Sequence, residues 1–217
     1  VLASVSDVFF DEDGSGSTSL SASDVDEDEL TYSIIGGTDI TATLDGSDVT
    51  FSAPTDYNGS ETFTISVTDS EYIDSQSITV IVNAVNDTPV ANAGSSTTNE
   101  DQNTVISLTG SDIDGDVLIF SIDTAASSGS LTLDGSLATY TPNQDFNGDD
   151  SFTFSVSDGE YSSSADVSIS VLAINDAPVL ASVSDVFFDE DGSGSTSLSA
   201  SDVDEDELTY SIIGGTD

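Results

Sequence analysis

The chain has 217 residues and a formal net charge of −42, because it carries 42 Asp and Glu residues but no Lys, Arg or His. Recognition of nucleic acid and of anionic membrane surfaces depends on basic side chains, so neither is expected as a partner. Enzyme activity is not expected either, since no His, Lys or Cys can act as a base or nucleophile. A carboxylate pair of the glycosidase kind is the one catalytic arrangement that this composition allows.

The composition nevertheless predicts a folded protein. Apolar residues make up 36% of the chain and occur as short alternations of Val, Ile, Phe and Leu, unlike the composition of a disordered acidic tail. No apolar run approaches the roughly 20 residues of a membrane-spanning helix, so we expect no membrane insertion. A compact chain without internal counter-charge is destabilised by self-repulsion, and we therefore expect an external cation.

Internal repeats divide the chain. Residues 1–39 return letter for letter at 179–217, and the segments VNDTPV and INDAPV show a second, diverged repeat with a period of 89 residues. Repeats of this kind indicate stacked modules of similar structure. We predict two complete repeats, 1–89 and 90–178, and the start of a further repeat at 179–217.

Within each repeat, strict alternation of apolar and polar residues predicts half-buried antiparallel strands. Turn clusters such as DGSGS, IIGGTD and YNGS fall every 8 to 15 residues, which indicates about seven strands per repeat and no appreciable helix. Strand number, spacing and repeat size favour an all-β Greek-key sandwich. The clearest alternations are FTISV at 63–67, ITVIV at 78–82, FTFSV at 152–156 and VSISV at 167–171.

The phenylalanines of these strands are predicted to pack in or near the core. The start of the further repeat can supply only about three strands, whose apolar side chains then lack a partner sheet. Two explanations stay open: the sequence is a window cut from a longer polymer of identical repeats, or another chain completes this edge. The predicted core phenylalanines are Phe9, Phe51, Phe63, Phe146, Phe152 and Phe154.

Three acidic triplets of the form D-x-D-x-D recur in register. Alternate residues of an extended segment point the same way, so three carboxylates converge only around a cation. Oxygen ligands without nitrogen or sulfur select calcium or magnesium, and several carboxylates together favour calcium. A solvated acidic loop is the alternative interpretation. The triplets are Asp24, Asp26 and Asp28; Asp112, Asp114 and Asp116; and Asp202, Asp204 and Asp206.

An EF-hand does not fit this spacing. Counting from Asp24, the sixth position is Glu29, where an EF-hand loop needs Gly, and the twelfth is Ile35, where it needs Glu. The triplets therefore predict a different calcium geometry.

The segment FFDEDGSGSTSLSASDVDEDELTYSI at 9–34 resembles the cadherin repeat, and VNDTP and INDAP resemble the cadherin linker. The segment DFNGDDSFTFSVSDG at 145–159 is similar to tandem cadherin-like modules of giant bacterial adhesins, which are often exported with RTX-type proteins. This resemblance covers essentially the whole chain. It implies seven-stranded Greek-key sandwiches of the cadherin-like or Ig-like type, arranged in a linear rod.

The resemblance also implies calcium ions at the junctions between repeats. In two places the chain departs from the family, because Ala84 and Ala173 replace the first acid of the linker and the linker is one residue shorter. Asp69 and Asp158 are either further ligands or turn formers. The first junction would use Glu12, Asp56, Asn86 and Asp87 with Asp112 and Asp114, and Asn58 stands where the family usually has Glu. The second would use Glu100, Asp145, Asn147, Asn175 and Asp176 with Asp202 and Asp204.

These observations predict a structural role, as a calcium-rigidified repeat of an extracellular stalk or filament, secreted and located at the cell surface or in a matrix fibre. Near-identical copies suit a spacer, whose partners are identical repeats head to tail. Lateral association of rods and surface glycans are further candidate partners. The alternative is a calcium-dependent module that binds carbohydrate or mediates homophilic cell–cell adhesion, although the chain has no Trp that could stack on a sugar.

The composition makes one prediction about proteolysis. Trypsin cleaves after Lys or Arg, and the chain has neither, so trypsin is expected to leave it intact even when it is unfolded. A protease that cuts after aromatic residues should cleave the unfolded chain at several of its 10 Phe and 6 Tyr residues. Mass spectrometry of both digests in denaturant checks this, and tryptic fragments with ends inside the chain would contradict it.

Overall fold

The computed structural model describes residues 1–214, which form β-strands and turns. The chain separates into two compact units, Val1–Asp87 and Thr88–Asp217. Across the described residues no helix has the length and apolar character that a membrane crossing requires. Because the described residues form strands and turns, the predicted all-β class is confirmed.

The first unit is a sandwich of two sheets built from seven strands. One sheet has the order β1-β7-β6-β3 and the other the order β2-β5-β4. Only β1 and β7 run parallel; the other pairs are antiparallel. The strands are β1 (Val8–Asp11), β2 (Ser15–Ser19), β3 (Thr31–Gly36), β4 (Thr41–Asp45), β5 (Asp48–Ser52), β6 (Gly59–Thr68) and β7 (Ile73–Asn83).

Alternation along the two long strands of this unit fills the space between the sheets. On β6, Phe63, Ile65 and Val67 are buried, while the intervening Thr and Ser side chains face outward. The ring of Phe51 on β5 meets Phe63 edge to face, with centroids 5.2 Å apart, and so joins the two sheets. The core lies where the period-two pattern places it.

The prediction that Phe9 belongs to the core is wrong. Its side chain is 60% exposed, whereas Val8 and Phe10 on either side of it are each only 7% exposed. Successive side chains of a strand point to opposite faces, and one face of β1 packs on the core. Of two adjacent phenylalanines, therefore, only Phe10 can be buried. The sequence pattern did not fix which of them it would be.

The second unit repeats this architecture. A sheet of order β12-β15-β16-β9 faces a sheet of order β10-β14-β13, with a short β11-β8 pair beside them. Phe152 and Phe154 are buried as predicted, and Phe146 packs against the same core from a partly buried position. The strands are β8 (Val90–Asn92), β9 (Gly94–Asn99), β10 (Thr104–Ser107), β11 (Thr109–Ser111), β12 (Ile119–Thr124), β13 (Gly129–Asp134), β14 (Leu137–Pro142), β15 (Gly148–Ser157) and β16 (Ser162–Leu172).

A buried carboxylate in the second unit is satisfied by the protein itself. Asp150 accepts hydrogen bonds from the backbone of Ser127 and Ser128 and, at 2.9 Å, from the hydroxyl of Tyr140. Burial opposes ionisation of this carboxyl, but the N–H and O–H donors outweigh burial and hold its pKa below the usual range. The first unit has Phe51 and Glu61 at the equivalent positions, where the longer Glu side chain accepts three backbone N–H groups directly.

The further repeat forms little structure, as the sequence predicts for strands that lack a partner sheet. Of about three expected strands, residues 179–214 contain one pair of two-residue strands, β17 (Val179–Leu180) and β18 (Ala200–Ser201). In the first unit β1, β2 and β3 pair with β7, β5 and β6, and no described residue of the further repeat corresponds to these partners. Without a partner strand the same sequence does not form a ladder.

The burial pattern predicts effects of very different size for two phenylalanines of the first unit. Phe63→Ala leaves a cavity in the first core and should lower the free energy of unfolding of this unit by about 3–5 kcal/mol. The matched control Phe9→Ala should change it by only about 0.5 kcal/mol, because Phe9 is mostly exposed. Denaturant unfolding of both variants measures the difference; equal losses would contradict the assignment of Phe9 to the surface.

Candidate cation-binding sites

The strand pairing of the first unit brings three connections to one end of the sandwich. β1 and β7 are parallel and finish together, with Asp11 opposite Asn83. β6 is antiparallel to β7 and therefore begins at this same end, with Gly59 opposite Val82. The turn after β1, the loop before β6 and the segment after β7 consequently lie side by side, and each carries acidic residues.

Three carboxylates meet where these connections converge. Asp13 lies in the turn after β1, Asp56 in the loop before β6 and Asp87 in the segment after β7, with one carboxylate oxygen of each within 4.8 Å of the others. Asp13 and Asp56 both adopt left-handed backbone conformations, with φ of 60° and 57°, which Asp tolerates better than most residues. The backbone N–H of Asp56 donates to Asp13 Oδ1 at 3.3 Å, which holds the turn against the loop.

Glu12 anchors the segment that follows β7. Its side chain is buried, and its Oε1 accepts a hydrogen bond of 2.5 Å from the backbone N–H of Val85. Its own backbone N–H donates to the carbonyl of Asn83 at 3.0 Å, continuing the parallel ladder by one step. Glu12 therefore fixes the path of the segment that carries Asp87.

The second unit builds the same arrangement from different residues. Asp101, Asp145 and Asp176 take the positions of Asp13, Asp56 and Asp87, again with carboxylate oxygens within 4.8 Å of one another. Both Asp101 and Asp145 are left-handed, with φ of 57° and 56°, and the N–H of Asp145 donates to Asp101 Oδ1 at 3.2 Å. Aspartates recur at three equivalent positions of two otherwise diverged repeats, and in both repeats the strand order brings them together.

Glu100 in this unit corresponds to Glu12. It is buried, accepts the backbone N–H of Ile174 at 2.5 Å, and has the amide of Asn147 3.5 Å from its Oε2. A carboxylate that is 4% exposed in a protein without basic residues needs donors or a cation.

Asp204 of the further repeat joins this second cluster. The backbone N–H of Asp176 donates to Asp204 Oδ2 at 2.6 Å, and carboxylate oxygens of Glu100, Asp176 and Asp204 lie within 4.8 Å of one another. Asp176 Oδ2 is buried and has no hydrogen-bond partner among the described residues. The second cluster therefore combines the body of one repeat, the linker and the start of the next.

Electrostatic repulsion in this cluster is evident at Asp176. Burial raises the pKa of its carboxyl, and repulsion from neighbouring carboxylates raises that pKa further. An oxygen-only donor set with several like charges fits a hard divalent cation such as calcium. The repelling neighbours are Asp145, Asp204, Asp101 and Glu100.

The acidic triplets form turns rather than extended segments. In the first triplet Asp24 Oδ1 accepts the backbone N–H groups of Asp26 and Asp28, at 2.8 and 3.4 Å, and the intervening Glu27 has a φ of 62°. Alternation along a strand is therefore not what orients these carboxylates. The third triplet repeats the turn through Asp202 Oδ1, and of its members Asp204 joins the second cluster.

The triplets also differ in how closely their carboxylates approach. Asp112, Asp114 and Asp116 have oxygens within 4.8 Å of one another, whereas within residues 1–214 the first triplet forms no such group. Asp112 and Asp114 belong to the second unit, and the other residues of the predicted first junction to the first unit. Their joint ligation of one ion stays a prediction.

The predicted asparagine ligands have more local roles in the structure. The amide nitrogens of Asn86 and Asn175 donate to the carbonyls of Asp87 and Asp176, at 3.2 and 2.8 Å, and so shape the linker. Asn58 is exposed. As ligands these residues stay predictions.

Asp69 and Asp158 form turns, one of the two roles left open by the sequence. Each accepts two backbone N–H groups two and three residues further along the chain, at distances between 2.6 and 2.8 Å. The N–H of Tyr72 and then that of Glu71 hold the pKa of Asp69 below its usual value, because they stabilise the charged form.

Sequence reasoning missed Asp13 and Asp101. Each directly follows the glutamate that was recognised, in the segments DED and NED. An acidic residue next to a candidate ligand in a tight turn was the available signal. It was not used because only the tertiary structure shows that this turn faces the linker.

The family of the chain follows from sequence comparison. The sequence-family model of the bacterial Ig domain matches residues 2–82 and 86–170. The chain belongs to the bacterial Ig domain family. Domains of this family and of the cadherin type are typically extracellular, non-catalytic and structural or adhesive in role. A search of curated protein sequences finds no match to this bacterial Ig domain protein.

Comparison with solved structures supports the fold. Human protocadherin-24 EC1-2 is similar with a TM-score of 0.50 and 22% identity, over 71% of this chain and 87% of that one. An endo-fucoidan hydrolase of glycoside hydrolase family 107 also matches, with a TM-score of 0.33 and 22% identity over 69% of this chain. The chain spans about a quarter of that hydrolase, 24% of its length. The likeness to protocadherin-24 extends to the fold alone.

The repulsion at Asp176 predicts an unusual result. In the presence of a chelator, Asp176→Asn should raise the melting temperature of the second unit, because it removes one of several mutually repelling charges while keeping the backbone N–H. The gain should shrink in 1 M salt, which screens charges beyond about 3 Å. The matched control Asp149→Asn removes an exposed carboxylate outside the cluster and should have little effect. Calorimetry in which the two variants melt alike would contradict the repulsion.

Proposed function

We propose that this bacterial Ig domain protein is a calcium-rigidified structural repeat of an extracellular stalk or filament, of the kind found in giant secreted adhesins. Its partners are identical repeats joined head to tail. Calcium links the body of one repeat to its linker and to the next repeat, so that the joint becomes stiff. The role is mechanical, and the chain performs no catalysis.

One observation carries this proposal. In the second cluster, carboxylates from the turn after β9, the loop before β15, the linker and the further repeat approach one another without any basic side chain in the sequence. Four separate segments of chain meet there, and although backbone N–H groups link them, their carboxylates repel one another. A divalent cation would convert this repulsion into attraction, and it would act on all four segments at once.

Each residue has a distinct part in holding such an ion. Glu100 is already oriented by the N–H of Ile174 through one oxygen, which leaves its other oxygen for the cluster. Asp176 presents its buried Oδ2, and Asp204 is held at the linker by the N–H of Asp176. When bound, calcium supplies positive charge and accepts six to eight oxygen ligands, so backbone carbonyls or water would complete the set.

Extracellular calcium modules have dissociation constants of roughly 0.1 to 1 mM. At millimolar calcium, about 1 to 10 times the dissociation constant, one site stabilises the binding state by about 0.4–1.4 kcal/mol. A typical domain is held together by about 5–15 kcal/mol, so sites at one joint contribute a noticeable share. Binding in this range would rigidify the joint outside a cell, where calcium is millimolar. The repeats would loosen when calcium is removed.

The test is to titrate the 217-residue chain with calcium and to measure binding by calorimetry. Thermal unfolding with and without calcium then measures stability. We expect Asp204→Asn, at the joint, to weaken binding at one site by about tenfold, as loss of one charged ligand does. Asp149→Asn, outside the cluster, should bind as the unsubstituted chain does. Asp176→Asn should invert its effect, raising the melting temperature in chelator and lowering it in millimolar calcium.

Small-angle scattering with and without chelator tests the mechanical part. Chelation should increase flexibility and alter the distribution of distances in the unsubstituted chain. Scattering that is identical in both conditions, with calcium binding confirmed by calorimetry, would leave a calcium site without a role in stiffness. If the chain binds no calcium at concentrations up to about 10 mM, the proposed function is wrong.

A further inference from the structure

We propose that the outer face of the four-stranded sheet of the first unit is a contact surface through which two copies of this chain associate. This surface, the neutral face, is formed by the outward side chains of β3, β6 and β7, which carry only hydroxyl and aliphatic groups. The contact goes beyond the proposed function and does not depend on calcium. The neutral face consists of Thr31, Ser33 and Ile35 on β3; Ser60, Thr62, Thr64, Ser66 and Thr68 on β6; and Ile73, Ser75, Ser77, Thr79 and Ile81 on β7.

Strand register places these side chains in rows across the sheet. In the central row, Thr64 of β6 lies between Ser77 of β7 and Ile35 of β3. The neighbours of Thr64 along its own strand, Phe63 and Ile65, are buried in the core. Because successive side chains of a strand point to opposite faces, the row points away from the core. Ile35 is accordingly 69% exposed.

An exposed aromatic side chain extends the neutral face at one edge. Phe9 of β1 lies opposite Ile81 of β7, and it is the phenylalanine that the sandwich leaves outside the core. Asp7 and Asp11 stand two residues before and after it, so the surface becomes charged beyond this edge. Covering the Phe9 ring and the exposed isoleucines removes apolar area from water, which favours association.

The second unit has the same sheet without the same surface. Three exposed aspartates occupy outward positions of β12, β15 and β16, where the first unit has serine or isoleucine. The fold therefore accepts charge on this face, and the neutrality of the first unit is a property of its own side chains. The equivalent positions are Asp123 and Ile35, Asp149 and Ser60, and Asp166 and Ser77.

Hydrogen-bond chemistry makes the neutral face complementary to itself. A Ser or Thr hydroxyl both donates and accepts, whereas a carboxylate only accepts. In a chain with 42 acidic residues and no Lys, Arg or His, two carboxylate-bearing surfaces repel each other unless a cation is added. A basic partner would be attracted to those acidic surfaces instead. The neutral face of a second copy offers matching donors, acceptors and aliphatic groups without this repulsion.

The size of the neutral face predicts a weak contact. Strands about 4.8 Å apart that rise about 3.4 Å per residue give β3, β6, β7 and the edge strand β1 a surface of roughly 500 Å². Two such faces would bury roughly 1,000 Å², which is the size of transient interfaces and below that of stable complexes. Where several copies are joined in one chain, several weak contacts form together and strengthen one another.

Association of two strongly acidic chains is opposed by long-range repulsion. This repulsion extends over about 8 Å at physiological ionic strength and over about 3 Å in 1 M salt. Contacts between hydroxyl and aliphatic groups are not weakened by this screening. We therefore expect association to become stronger as NaCl is raised, and to persist in a chelator.

Sedimentation equilibrium of the 217-residue chain, in chelator and high salt, measures the contact. We expect a reversible dimer to appear between about 0.1 and 1 mM chain. Ser77→Asp gives the neutral face the charge that Asp166 gives the second unit, and it should raise the dissociation constant at least about tenfold because two carboxylates then meet in the contact. Ser77→Asn has a similar size without the charge and should associate as the unsubstituted chain does.

The matched control places the same charge on the second unit. Ser151 on β15 has the outward position that Thr62 has on β6, and both side chains are exposed. Ser151→Asp should therefore leave the dissociation constant unchanged, whereas Thr62→Asp should raise it as Ser77→Asp does. Thermal unfolding of each variant verifies that it is folded. Equal weakening by Ser151→Asp and Thr62→Asp would overturn the proposal.

Nuclear magnetic resonance of the isotope-labelled chain at increasing concentration identifies the surface. Amide shifts that change with concentration should lie on β3, β6 and β7. Changes confined to the second unit would overturn the proposal, and so would a chain that stays monomeric at about 1 mM in high salt. A monomeric chain whose neutral face binds dextran would assign this face to a neutral carbohydrate instead.

Discussion

The parallel pairing of β1 with β7 is the constraint on which the rest of the structure depends. A parallel pair ends at one edge, so the turn after β1 and the linker after β7 leave the sandwich together. The second unit repeats this with β9 and β16, where Asn99 lies opposite Leu172. A buried glutamate follows the first strand in both units and bonds the linker. The acidic end of each unit is therefore a product of strand direction, and it survives extensive divergence of sequence.

Carboxylates in this protein are stabilised in two different ways. Glu61 has backbone N–H groups, that of Asp39 foremost, which hold its pKa below the usual value. Burial raises the pKa of Asp150, but backbone N–H groups and the Tyr140 hydroxyl outweigh burial and also hold this pKa below its usual value. Asp176 instead faces other carboxylates and its pKa is raised. Hydrogen bonds therefore stabilise the charged forms of Glu61 and Asp150, whereas neighbouring carboxylates repel Asp176 at the linker.

Sequence identity between the first and the further repeat separates local from long-range determinants of structure. The turns at Asp11–Gly14 and Asp189–Gly192 are alike, as are the left-handed residues Asp13 and Asp191 within them. The strands differ, because a strand needs a partner and the turns do not. Folding of each repeat is consequently a matter of bringing β5, β6 and β7 onto a segment whose turns are already shaped.

The sequence by itself determined the all-β class, the repeats and most of the core, because period-two alternation and turn residues are local signals. It also determined that the acids have no internal counter-charge, and it singled out Glu12, Glu100, Asp176 and Asp204. Only the tertiary structure decided that Phe10 rather than Phe9 is buried, since adjacent side chains of a strand are equivalent until one face meets the core. Only it placed Asp13 and Asp101 in the clusters. That outcome depends on residues more than 40 positions apart meeting through the sheets, and no local pattern encodes that distance.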